Sequence, residues 1–233
     1  MKSKILIGAA LAALTFTTPA TARIIGVQVH VQNLAPTNSI AFAPLRFGFN
    51  NGTFDSFNNG GTATAGIVSV AEGGSGSAWF PAFSSADPMA VLGSTMGALL
   101  PGASSTTRTF RVNTAINPFF TFGAMVIPSN DFFIGNDNPM EYRLFDAAGN
   151  LRISQIDQSA SDIWNAGSEA FDPANAAFLV GGNNGLRTPE NGVVGLNFSE
   201  LARFDRRPTA AGYTFRRNLF DNTLHRLRHL LDL

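Results

Sequence analysis

Ala124-Met-Val-Ile-Pro-Ser-Asn-Asp-Phe-Phe-Ile-Gly-Asn136 decides the reading of this chain. Met125 to Ile127 reads as a buried strand, Pro128-Ser129-Asn130 breaks it, and Asp131 is left at the strand end ahead of Phe132, Phe133 and Ile134. A carboxylate between apolar residues is costly unless hydrogen bonds or positive charge satisfy it. About thirty residues later Trp164-Asn-Ala-Gly-Ser-Glu169 forms a second short polar turn with oxygen-bearing side chains near both ends. Two such loops in a β-rich chain suggest a site for a hard cation, with calcium the best candidate.

Working outward, Phe119 to Ile127 is apolar on both faces and suits a central strand. Ile25, Val27, Val29 and Val31 alternate with polar or small residues, the pattern of a half-buried strand. Ile40 to Phe49 reads as a second strand. Ile67 to Ala71 is either a strand or a short helical turn, and Pro88 to Ser105 reads as a long surface connection. Thr107 to Val112 alternates again. Glu141–Phe145 and Asn150–Ser154 flank Asp146-Ala-Ala-Gly149 as a hairpin, with Gly149 at the φ > 0 position. Many short strands between turn residues predict an all-β antiparallel sandwich.

Met1-Lys-Ser-Lys4, an apolar run from Ile5 to Phe16 and the small residues Ala20 and Ala22 read as a secretory signal peptide over 1–22. The sandwich is expected over 23–202, and 203–233 forms a basic C-terminal segment. No later stretch is apolar enough for a membrane helix. With no cysteine, an exported chain must rest on core burial, aided by any metal it binds. Residues 23–202 hold seven Arg against thirteen Asp and Glu, while 203–233 hold seven Arg against three Asp. The body is therefore mildly acidic and offers no case for nucleic-acid binding. In the tail, Phe220, Leu224, Leu227 and Leu231 recur at helical spacing among basic residues, so the segment reads either as an amphipathic helix or as a final edge strand.

The motifs resemble a known family. Pro128-Ser-Asn-Asp-Phe-Phe-Ile-Gly135 is similar to the Asp-bearing element of the spondin N-terminal domain, and Trp164 to Glu169 resembles its second acidic turn. Gln32-Asn-Leu-Ala-Pro36, Phe49 to Asp55 and Gly66 to Gly74 resemble the opening motifs of its bacterial branch. The likeness runs from about Ile24 to Glu169 and fades beyond Phe178. It implies a C2-like sandwich of about eight strands, calcium held by Asp131, Asn165 and Glu169, and walls from Phe132, Phe133 and Trp164. Asn165 departs from the family, which usually places Asp there, and so removes one negative charge.

The function expected is a secreted, non-enzymatic binding or adhesion module for an extracellular or cell-surface ligand. The alternatives are a secreted hydrolase using Asp131 and Glu169 as acid and base, or a sandwich displaying a basic surface-binding tail. The three histidines accompany no Gly-x-Ser-x-Gly and no His-Glu-x-x-His element, which argues against a serine triad and a zinc site.

Overall fold

The computed structural model describes residues 22–37 and 39–197, together with the backbone of 227–232. The expected signal peptide, apart from Ala22, and most of the basic C-terminal segment lie outside the described residues. The fold is an all-β antiparallel sandwich carrying two short helices. The expectation of about eight strands is exceeded, because several strands are divided into short pieces.

Strand β1 (Ile24–Asn33) buries Val27, Val29 and Val31 on one face, as its alternation requires. It pairs with β5 (Ser104–Thr106) and β6 (Phe110–Asn113) along one edge. Between them Thr107 bridges with its backbone N–H and its hydroxyl, at 3.0 Å each, to Val29. The other edge of β1 pairs with β13 (Leu227–Asp232), which in turn pairs with β10 (Gln155–Gln158). Residues 227–232 are thus strand backbone inside a sheet, between β1 and β10, rather than helix or outermost strand.

The second sheet is centred on β7 (Phe119–Ile127), all nine of whose residues are buried. It lies between β3 (Arg46–Asn50) and β8 (Phe132–Gly135), with β4 (Val91–Ser94), β11 (Trp164–Asn165) and β12 (Gly195–Leu196) beyond them. The pieces β2 (Ala41–Phe42) and β9 (Tyr142–Arg143) also pair with β7. Period-2 geometry, with both faces covered, explains why β7 is buried throughout and almost wholly apolar. Phe120, Phe122, Ala124 and Val126 enter the core shared with Val27, Val29 and Val31. The opposite face is covered too, Gly123 meeting Val70 and Met125 packing with Ala41 and Ala43.

Val70 belongs to α1 (Ala65–Gly73), which lies on this face of β7, and α2 (Trp79–Ala86) packs on α1 and sets Phe83 against Gly48 of β3. Thr64 caps α1 by accepting the Ile67 N–H at 3.2 Å, and Gly74, at φ +59°, closes it. These two caps favour the helical alternative over a strand for 67–71. In α2, Trp79 is fully buried and donates to Ser56 at 2.8 Å, and Phe83 stacks on Phe54 at 4.0 Å.

Three segments differ from expectation. Residues 40–49 form two strands rather than one, with Pro44 between them. Residues 88–105 are not one long connection, since β4 and most of β5 fall there. Their weak periodicity has a packing cause: a Cβ on Gly93 would come within 2.5 Å of the Phe47 and Phe110 rings. The 141–154 segment keeps its turn, with Gly149 at φ +78° and Asp146 bonded to Asn150 at 3.0 Å. Its arms are joined by the Phe145–Leu151 bridge and by Arg152 donating to the Leu144 carbonyl at 2.7 Å, but they form no longer hairpin, because β9 pairs with β7 instead.

Candidate functional site

The break after β7 is built by side chains that replace lost ladder bonds. The Ser129 hydroxyl donates to the Val126 carbonyl at 2.7 Å and accepts the Phe132 N–H at 3.1 Å. Asn130 and Asp131 are each only 1% exposed. The Asp131 carbonyl accepts the Ala166 N–H at 3.1 Å. Its carboxylate Oδ2 accepts the N–H groups of Ser168 and Glu169 at 2.8 and 3.1 Å, and the Ser168 hydroxyl at 3.4 Å. Asn130 Oδ1 accepts the Asp172 N–H at 3.0 Å, while its amide nitrogen donates to Glu169 Oε1 at 3.1 Å. The turn between β7 and β8 therefore holds the 165–172 loop in place.

That loop leaves β11, which pairs Trp164 with Phe133 and Asn165 with Phe132. Asn165 folds back so that its Oδ1 accepts the Gly167 N–H at 2.6 Å. Gly167 has φ +63°, and an added Cβ would lie 2.6 Å from the Val193 nitrogen, so only glycine fits without strain. Residues 168–170 then run against 188–190, with Ala170 donating to Thr188 at 2.8 Å and Glu190 to Ser168 at 2.9 Å. Glu169 is 4% exposed. Its Oε2 accepts from Arg187, whose other bonds go to Glu72 at the end of α1.

Burial dominates the electrostatics. It pushes the Asp131 carboxyl up to about 6, against the pull of the Ser168 and Glu169 N–H groups and with the negative charges of Glu169 and Glu190 adding to the rise. Glu169 is raised as well, by burial first, while Asn130 and Arg187 hold the rise back.

The structure brings Asp131, Asn165 and Glu169 into one loop cluster, but as acceptors already engaged with protein donors. Asp131 Oδ2 takes three donors, Asn165 Oδ1 closes its own turn, and both Glu169 oxygens are bonded. Among the described residues no group of three or more His, Cys, Asp or Glu side chains is placed to hold a metal ion. As arranged, four of the five side-chain oxygens of these three residues already accept protein hydrogen bonds, which a calcium ion seeking six to eight oxygens would have to displace. Phe132 points into the sandwich core, and Phe133 and Trp164 into the helix-covered one, so they brace the loops from within.

An open cleft of about 300 Å³ lies beside the cluster, lined by Asn165, Gly167, Phe171, Glu190, Val193 and Leu196, among others. Val193 and Leu196 are more than half exposed. Neither Asp131 nor Glu169 lines it. Sequence reasoning singled out Asn165 but missed Arg187 and the rest of this surface, which lie largely in a Gly- and Asn-rich stretch without periodicity, past the last recognisable motif. No protein-family model matches the chain, and no curated protein matches it.

Proposed function

We propose that the protein is a secreted, non-enzymatic binding module of the spondin-domain kind, which takes an extracellular or cell-surface ligand at the cleft beside Asn165. One observation carries the reading: the cleft stands on a loop cluster cross-tied by buried hydrogen bonds to the central hairpin. A surface fixed before contact loses little entropy on binding, and such end loops on a rigid sandwich serve recognition. Its polar lining residues Asn165 and Glu190 and the exposed Val193 and Leu196 suit a ligand with both polar and apolar faces, such as a polysaccharide or a matrix protein.

The hydrolase alternative draws on the Asp131 carboxyl, whose value of about 6 would suit acid–base work. Geometry favours the binding reading, since Asp131 is buried, tied to three donors, and absent from the cleft lining. The tail alternative needs an exposed apolar helix face, whereas 227–232 are paired into a sheet. The test is retention of the mature protein on immobilised polysaccharides and matrix proteins, with released reducing ends measured in the same wells. Retention without cleavage, lost in the Val193→Asp, Leu196→Asp double variant, supports the proposal. Cleavage abolished by Asp131→Asn would replace it with hydrolysis.

A further inference from the structure

The resemblance implies a calcium ion at Asp131, Asn165 and Glu169. The structure offers Glu169 a guanidinium instead. We propose that Arg187 is the built-in counter-cation of this loop cluster, taking at Glu169 the place a divalent ion would hold, so that the turn stays closed without metal.

Two features converge on Arg187, and a third accords with them. Glu169 is almost wholly buried, and a buried carboxylate is tolerated only when paired and hydrogen-bonded. Arg187 Nη1 supplies the charge at 2.5 Å from Oε2, and Asn130 satisfies Oε1 at 3.1 Å. The second feature is the carboxyl end of α1, where the last carbonyls lack helical partners and the helix dipole is negative. No basic residue stands in the last turn of α1. Arg187 fills that role from outside, with Nη2 donating to the Glu72 carbonyl at 2.9 Å and Nη1 lying 3.2 Å from Glu72 Oε2. The planar guanidinium can serve a carboxylate and a helix end at once, which a lysine ammonium does less well.

The third feature is Asn165. Where the family's Asp would add a charge needing neutralisation, the neutral amide closes the turn on Gly167. Asp131 is met by N–H donors and Glu169 by Arg187, so each carboxylate has its own partner without a metal. Arg187 is 18 residues from Glu169 and 115 from Glu72, and it joins the loop cluster to the helix layer.

The experiment is thermal unfolding of the mature wild type, Arg187→Met, and Glu169→Gln with Arg187→Met, each in EDTA and in millimolar calcium chloride. The wild-type Tm should be the same in both buffers. Arg187→Met should melt about 5 °C lower or more, because it leaves Glu169 buried and unpaired. The double variant should regain most of that loss, since the charge that needed Arg187 is gone. A wild-type Tm raised by calcium overturns the proposal, as does an Arg187→Met protein as stable as wild type. If Arg187→Met does not fold, the double variant decides: a folded protein melting near wild type upholds the role of Arg187, and an unfolded one refutes it.

Discussion

Replacing Asp131 by asparagine should make the protein's stability less sensitive to pH in a defined window. The folded carboxyl lies near 6 against an ordinary value of 3.8, so between about pH 4 and 6 the native state binds more protons at this position than the unfolded chain. Stability conferred by the neutral carboxyl is therefore present below pH 4 and lost as pH rises through 6. At 1.36 kcal/mol per unit, the full loss is about 3 kcal/mol. Solvent screening trims this little, because Asp131 is 1% exposed. Asparagine mimics the protonated form and can still offer an oxygen to the Ser168 and Glu169 N–H groups. Urea unfolding in EDTA from pH 4 to 8 measures both proteins. Glu169 and Glu141, both raised mainly by burial, also shape the wild-type curve; subtracting the variant's curve removes the Glu141 share, and repeating the pair in a Glu169→Gln background removes that of Glu169, whose charge acts on Asp131. Wild type should lose ground to Asp131→Asn by about 3 kcal/mol across the window. A difference that stays constant from pH 4 to 7 would refute the reasoning.

Gly167→Ala should destabilise by about 2 kcal/mol or more, because it joins a left-handed backbone to a Cβ 2.6 Å from the Val193 nitrogen; chemical denaturation reads it directly. Mass spectrometry of exported protein should find Arg23 as the first residue, following cleavage after Ala22, and an intact Met1 on exported material would contradict the signal peptide.

How far the sequence speaks depends on whether a residue's role is local. Phe119–Ile127 was legible as the central strand because both of its faces are covered, and β1 because one face is. The Asp131 turn was legible because a lone carboxylate among apolar residues demands partners. Its partners were only half legible: Asn165 and Glu169 stood out as oxygen-bearing, but that Asp131 would take backbone N–H groups from 168 and 169 depends on a fold-back no pattern records. Strand β4 was hidden because Gly93 makes room for two rings that arrive from β3 and β6. Arg187 was hidden because its meaning comes from Glu169 and Glu72, brought together only by the tertiary fold.

The pairing of β1 with β13 has a mechanical consequence for any tether built on this domain. The strands are antiparallel, with Gln28 opposite Asp232 and Asn33 opposite Leu227, so the start of one lies beside the end of the other. Tension applied across Ile24 and Asp232 would load one pair at a time, peeling the strands apart from Gln28–Asp232 inward. Each step breaks bonds worth only about 1 kcal/mol net, so the seam yields at low force. The loop cluster at Asp131 lies in the other sheet and is held by β7, β8 and β11. A pull across Ile24 and Asp232 would therefore open the seam before it disturbed the loop cluster and the cleft beside it.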